Sequence, residues 1–583
     1  SVLANLFGEY EIIDGLKYKL SINANTGNGI SRSFTPSTAR GGLGSAPPQP
    51  AVGSYGTDNF QNWLVENTLN YQKTINEKHN IEALVGYTAQ NFYYENSSIN
   101  ASEFPDDNIE WINVATTRIG NAGTSESSLL SYLGRLNYNY DSKYLISLAF
   151  RRDGSSRFGS NTKWGNFPSI SAGWVISDEN FLKGIEDIQL LKLRASYGKV
   201  GNNNIGDYTY LASLNNNNYV LGGQVVAGRS LNGIGNSNLT WETTTSYNVG
   251  LDLDLFGGRV SFTYDYYWKK TDGLLYGIDI PIQSGFNNIT SNIGQFNFWG
   301  HEFSAATRNL VGKLKWDTNF NISFDRNKVI KLGTNDAPIG GYNLYWDDNR
   351  TAVGNPIGLF YGYINTGVYM TQEEFDSQPH GATSMVGTAR FQDISGPDGV
   401  PDGIIDSNDR TYIGDPNPDF IYGMTNSFSY GDFDLSIVTA GTVGNDIADD
   451  HYQSSENFDA VFNVRKGYAD RWRSLENPGS GYYPRTRAGT TADYRNFTNR
   501  QVFKGTYLAV KNITLGYNIP LPENKFMKKA RVNFSAQNPF IFTKYPGMNP
   551  EVGIAGLNGL NQGRDFTSYP ISKIYTMGLN FTF

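Results

Sequence analysis

The chain has 583 residues, no cysteine, a formal net charge of −8, and 38 Tyr, 34 Phe and 10 Trp beside 64 Gly. Without cysteine there is neither a disulfide framework nor a thiolate metal site, and a negative chain without a Lys/Arg cluster argues against a nucleic-acid partner, which needs cations to displace phosphate counterions. The mean hydropathy is −0.43 and no run approaches the roughly 18 apolar residues of a spanning helix, leaving a β-rich inventory with many turns.

The predicted elements are hairpins of alternating character. Val65, Leu69 and Tyr71 lead through a turn at 76–79 into Ile81, Ala83, Val85 and Tyr87. Tyr132, Leu136, Tyr138 and Tyr140 lead through Asp141-Ser142-Lys143 into Tyr144, Ile146, Leu148 and Phe150. The clearest hairpin covers 245–270: Tyr247, Val249, Leu251, Leu253 and Leu255 alternate with polar residues, Gly257-Gly258 supplies the positive φ angles of a tight turn, and Val260, Phe262, Tyr264, Tyr266 and Trp268 return. Leu314, Trp316, Phe320, Ile322 and Phe324 share a face further on, and Tyr575, Met577, Leu579, Phe581 and Phe583 close the chain on an aromatic residue. Such strands exceed the five or six residues usual in globular sheets and match the roughly 9 to 11 of a tilted bilayer-crossing strand.

Connections alternate in length as well. Short turns fall at Asp14-Gly15, 76–79, 141–143, 256–259, 310–312, Gly431-Asp432 and 520–528; long polar segments cover 27–60, 96–128, 201–240, 271–298, 327–419, 441–500 and 543–572. Outer-membrane barrels have this asymmetry, with short periplasmic turns and long external loops. The expected fold class is therefore all-β, a transmembrane antiparallel β-barrel with long extracellular loops, residues 1–583 supplying about 17 strands. With the last strand descending to a periplasmic C-terminus, an odd count makes the first strand descend too. The chain then starts mid-barrel, with about five strands of a roughly 22-stranded plugged transporter upstream. No signal-peptide pattern opens at Ser1, so the natural N-terminus is expected upstream as well.

A series of blocks then resembles the SusC/RagA family of TonB-linked outer-membrane transporters of Bacteroidetes. Arg152-Asp153-Gly154-Ser155-Ser156-Arg157-Phe158-Gly159 with Phe167-Pro168-Ser169 and Gly173-Trp174 looks like its most recognisable block. Leu193-Arg194-Ala195-Ser196-Tyr197-Gly198, Gly201-Asn202 and Trp241-Glu242 follow. Gly414, Pro416, Pro418, Tyr422-Gly423, Lys511-Asn512-Ile513-Thr514-Leu515-Gly516-Tyr517, Asn538, Tyr545 and Asn549-Pro550-Glu551 complete the order, and Ala509 departs from it where an Arg is expected. The resemblance spans nearly the whole chain. It implies TonB-dependent import of a nutrient, an oligosaccharide or a peptide, with a SusD-like extracellular lipoprotein as lid, and an upstream plug, further barrel strands and a TonB-binding segment. It also implies a setting of lipid bilayer and lipopolysaccharide, and no enzymatic step.

The acidic run at 393–409 is the candidate ion site. With Asp398 in first position, Asp402, the Ile404 carbonyl, Asp406 and Asp409 fall at 5, 7, 9 and 12, near the spacing of a Ca²⁺ loop. Val400 stands at position 3 and the final ligand is Asp rather than Glu, so Asp393 is a substitute ligand; the alternative is a solvated loop of Asx turns. His79, His301, His380 and His451 are isolated, and no nucleophile elbow, P-loop or zinc motif appears. The pair Asp449-Asp450 carries little weight among 55 Asp and Glu. Trp111, Tyr219, Trp299, Trp346 and Tyr452 in long loops either stack on a ligand or pack loops and girdle the membrane. A passive porin or surface adhesin shares this physics without a plug. A soluble propeller enzyme needs shorter strands and a repeat of about 40 to 50 residues.

Overall fold

The structure is a computed structural model that describes all residues except 40–47, 334, 342–347, 457–462, 488–495, 523–525, 554–557 and 567. Seventeen long strands make up its large sheet, and no described helix is long and apolar enough to cross a membrane. The chain divides into two compact units, one of Ser1–Glu179, Leu193–Asn248 and Lys269–Gln295, the other of Asn180–Lys192, Val249–Trp268 and Phe296–Phe583.

The first unit opens as a meander of β1 (Val2–Ile13), β2 (Leu16–Thr35), β3 (Val52–Ile75), β4 (His79–Ser102), β5 (Thr117–Tyr140), β6 (Tyr144–Ser155) and β7 (Trp164–Val175). Each strand pairs antiparallel with the next, and the β3–β4 register runs unbroken from Val52↔Ser102 to Ile75↔His79. The turns between them are tight because consecutive residues take positive φ: Asn76 and Glu77 at 52° and 60°, Asp141 and Ser142 at 54° and 58°. That geometry matches the right-handed strand twist.

The connections expected at 27–60 and 96–128 are corrected by the structure. Strands β2 to β5 run on to Thr35, from Val52, to Ser102 and from Thr117. In these extensions most side chains are polar or glycine, with Ser33 Oγ 2.7 Å from Ser54 Oγ and Thr57 Oγ1 2.8 Å from Ser97 Oγ across the ladder, and apolar residues such as Ile30, Ile99 and Ile119 stand singly. Backbone pairing is satisfied whatever the side chains are, so the strand persists where the apolar alternation that announces it has ended. At 24 residues, β3, β4 and β5 are more than twice as long as the roughly 9 to 11 residues a crossing requires.

This unit has its own loop-end core. Phe158, Phe167, Leu239 and Trp241 are buried together, with Leu129, Ile205, Tyr210 and Leu275 against them. The Trp241 ring lies 5.4 Å from Phe158 and 5.3 Å from Phe167, and its Nε1 donates to the Lys163 carbonyl at 2.8 Å. Gly201 is required here: a Cβ on it would stand 2.2 Å from Phe167 Cζ. Arg157 Nε donates to Asp207 Oδ1 at 2.8 Å, and Asn203 Nδ2 to Ser155 Oγ at 3.0 Å. The blocks at 152–159, 167–169, 201–202 and 241–242 thus occur together because they pack on one another.

Next along the chain come β8 (Ile188–Asn202), β9 (Glu242–Leu255), β10 (Val260–Asp279) and β11 (Asn288–Val311). In the second unit, β12 (Leu314–Lys331), β13 (Phe420–Tyr430), β14 (Phe433–Val443), β15 (Tyr507–Ile519), β16 (Lys529–Thr543) and β17 (Ile574–Thr582) form an antiparallel series. A bulge skips Lys511 in the pairings of β15 on both sides. That residue's Nζ pairs with Glu551, which joins two of the family-like blocks. Ala509 is buried and faces Ala440 and Ile541 in the ladder.

Candidate functional site

The long connections of the second unit fold back into structure of their own. Ile339–Gly340, Asn349–Thr351, Leu359–Gly362 and Thr411–Gly414 form a four-stranded sheet. Asp446–Asp449 takes Val502–Lys504 antiparallel and Arg564–Asp565 parallel. Phe360, Ala448 and Phe497 are the buried core of this platform, with Ile413 and Val502 packed on them. A short helix, α1 (Gln372–Ser377), is capped by the Thr371 side chain, which accepts from Glu374 N.

Charged groups clamp the platform. Arg564 is 0% exposed, and its Nε donates to Asp450 Oδ2 at 2.9 Å while Nη2 reaches Asp450 Oδ1 and, at 3.3 Å, Asp348 Oδ2. Its guanidinium lies 4.8 Å from the Phe497 ring centroid. Burial pushes the Asp348 carboxyl up to about 7 and that of Asp450 up to about 6, against the pull of Arg564 on both. One guanidinium serving two buried carboxylates favours keeping a proton in the group near neutrality. Asp449 pairs with Arg465 at 3.4 Å and accepts the His451 N–H at 3.0 Å, and burial raises its carboxyl too. Tyr545 Oη donates to Asp565 Oδ2 at 2.7 Å, and burial pushes its hydroxyl well above the ordinary tyrosine range. Arg500 pairs with Glu456 at 3.2 Å.

Two cavities open in the platform. One, of about 400 Å³, is lined among others by Asp449, His451, Arg465, Met548, Asp565 and Tyr569. The other, of about 560 Å³, lies among 365–367, 480–482 and 499–503.

The acidic loop stays together, but its carboxylates serve the loop backbone. Asp409 is buried; its Oδ1 accepts from Ile394 N at 2.8 Å and Ser395 N at 3.3 Å, and its Oδ2 from Asp406 N at 2.8 Å. Asp393 accepts from Gly403 N, Asp402 from Ile404 N and Asp406 from Asn408 N, at 2.8, 3.0 and 2.7 Å. Asp398 is exposed. Among the described residues no three His, Cys, Asp or Glu are gathered as a metal site.

Each histidine has a local role. His79 and His301 bond Tyr138 and Tyr264 hydroxyls at 2.9 Å, His380 bonds the Gln378 carbonyl at 2.9 Å, and His451 lines the first cavity. Among the aromatics, Trp111 is exposed beneath Arg32 at 4.6 Å and Tyr452 lies under Arg465 at 3.6 Å. Tyr219 is exposed, Trp299 is half-buried on β11, and Trp346 lies outside the described residues. Sequence reasoning passed over Arg564 and Asp348 and dismissed Asp450. No local signal marks them, since their partners stand 114 and 216 positions apart.

The sheet surface identifies the class. Tyr144, Ile146, Leu148 and Phe150 on β6 are exposed in alternation, and Tyr575, Met577, Leu579 and Phe581 on β17 are exposed as well. Tyr247 is 49% exposed, Phe581 is 49% exposed and Phe262 is half-buried, so none of the three is in a protein core. Exposed apolar area in such a regular band is disfavoured in water by roughly 25 cal/mol per Å², and suits a face turned to lipid. The chain is a wall of membrane-spanning β-strands.

Comparison with known proteins makes this specific. The family model "TonB dependent receptor-like, beta-barrel" matches residues 4–391, and the chain belongs to that family, whose place is the bacterial outer membrane. It is 34% identical over 607 residues to TonB-dependent receptor P3 of Formosa agariphila, covering 100% of this chain and 58% of that protein. To TonB-dependent receptor SusC of Bacteroides thetaiotaomicron it is 32% identical over 486 residues, covering 80% and 45%. The chain thus spans about half the length of the curated relatives it matches. The structure of the RagAB peptide transporter shares the fold, with a TM-score of 0.83 at 23% identity over 99% of this chain and 61% of that one. The two curated relatives are TonB-dependent receptors, not enzymes.

Proposed function

We propose that the chain supplies the wall and external loops of a SusC/RagA-type transporter that imports a nutrient, an oligosaccharide or a peptide, across the outer membrane when TonB is energised. The observation that supports this most is the family match carried by a chain whose long connections are folded and clamped into a platform. Such a platform offers cavities of ligand size, where a loose rim offers none. In this reading the platform and a SusD-like lipoprotein lid capture the ligand, an upstream plug moves when TonB pulls, and the barrel, closed by further upstream strands, is the passage. The C-terminus faces the periplasm, and lipid and lipopolysaccharide surround the apolar band. No residue of the chain performs covalent chemistry.

A deletion strain complemented with the full-length gene tests the reading on defined glycans and peptides. Uptake should vanish when TonB is removed or the proton gradient is collapsed. Uptake that persists under both treatments identifies a passive porin instead. Ca²⁺ binding at 393–409 is a separate proposal, in which the loop re-forms around the ion. Calorimetric titration should show heat that disappears in Asp402→Ala and Asp406→Ala, and silence of the unaltered protein removes the idea.

A further inference from the structure

The cavity of about 560 Å³ differs from the other in its chemistry. Its lining includes Asn365, Thr366, Tyr482, Asn499, Arg500 and Phe503, and no Asp or Glu lines it among the described residues. Three side-chain oxygens of this wall already accept hydrogen bonds from the protein. Asn365 Oδ1 takes the Gly367 N–H at 3.0 Å, Asn499 Oδ1 takes the Asn365 N–H at 2.9 Å, and Thr366 Oγ1 takes Arg390 Nε at 3.0 Å.

The donors are left over. The side-chain amide NH₂ groups of Asn365 and Asn499 and the hydroxyl of Tyr482 have no protein partner among the described hydrogen bonds, and Arg500, whose Nη2 bonds Glu456, lines the same cavity. A wall that offers a guanidinium and two amide NH₂ groups is best matched by a ligand rich in acceptor oxygens, most strongly an anionic one. Arg500 is fixed in place for such a role, paired to Glu456 and stacked 4.4 Å from the Tyr482 ring centroid.

Shape adds to this. Tyr482 is 46% exposed, a flat apolar surface of the kind on which a sugar ring packs. Gly367 and Gly481, at φ of 129° and 80°, line the same cavity and let a ligand approach the backbone closely.

We propose that this cavity is a subsite for an acidic sugar residue, with the carboxylate of a uronate ring taken by Arg500, Asn365 and Asn499 and the ring laid on Tyr482. The proposal rests on the import reading and narrows its ligand to an acidic oligosaccharide.

Calorimetry on the purified full-length transporter tests it with three probes: digalacturonic acid, its dimethyl ester, and dialanine as a carboxylate without a sugar ring. Digalacturonic acid should bind, with the ester and dialanine at least about tenfold weaker, the loss expected when a charge-assisted hydrogen bond or its stacking partner is removed. Asn499→Ala and Tyr482→Ala, both at exposed positions, should each weaken the acid by about tenfold while unfolding as the parent does. Arg500→Lys should weaken it too, because an ammonium lacks the planar fork. The proposal is overturned if digalacturonic acid does not bind, if the ester binds as well, if dialanine competes equally, or if the Asn499 and Tyr482 variants bind unchanged. TonB-dependent uptake without uronate binding would remove this subsite and leave the import reading. Uronate binding with TonB-independent uptake would do the reverse.

Discussion

The loop-end core of the first unit and the platform of the second solve the same problem with different chemistry. Around Trp241 the long connections are held by aromatic and aliphatic contact, whereas around Arg564 they are held by buried charge, with Asp348 and Asp450 sharing one guanidinium. Apolar packing is indifferent to pH and tolerates near misses in shape. A buried ion group is neither: breaking it strands charges out of water, and its balance depends on protons. The platform is therefore the region whose stability responds to its surroundings.

That contrast can be broken from either side, with local opening read by native-state hydrogen exchange. The largest effects come from the two hubs. Trp241→Ala removes two ring contacts and the bond to Lys163, and should destabilise its core by about 3–5 kcal/mol at any pH. Protection that stays unchanged would show that the aromatic cluster is incidental. Arg564→Met should open the 446–449/564–565 strand pair by about 3–5 kcal/mol at pH 8, and by less at pH 5, where the stranded carboxylates take up protons. An equal effect at both values would mean that the pair is not charged when Arg564 is absent.

Asp348→Asn should act more gently. Its carboxyl holds a proton more tightly in the folded state, at about 7 against an ordinary 3.8. The folded state therefore binds more protons than the unfolded one between about pH 4 and 7, and stability falls as pH rises through that window. The Asn variant should flatten the slope, and a slope that stays the same assigns it to other groups. Smallest of all, Lys511→Met removes a partly exposed pair with Glu551 and should cost under about 1 kcal/mol. A larger loss would mean that this contact at the bulge anchors the 543–573 connection.

Much of the wall was legible because its signal is local. Tyr247, Phe262 and Phe581 belong to alternating runs in which each residue's face follows from its neighbours, and the turns at 76–78 and 141–143 carry residues that suit them. Legibility stopped where the alternation stopped, at the polar extensions beyond Asn28 and Asn96. The acidic loop reads two ways for a related reason. Asp402 and Asp406 have the spacing of ligands, but the same spacing makes Asx turns, and the backbone N–H groups of Ile404 and Asn408 claim those oxygens.

The sequence by itself determined the two-residue rhythm and the short turns, since each depends on contacts within a hairpin, and it displayed the family blocks without the packing that joins them. The tertiary structure alone decided how the long connections close: which Asp meets Arg564, which asparagines share a wall with Tyr482, and why Gly201 must lack a side chain. Those contacts join residues from separate elements, up to 216 positions apart, and no periodicity encodes such a meeting, because burial and hydrogen bonding depend on what arrives from elsewhere in the chain.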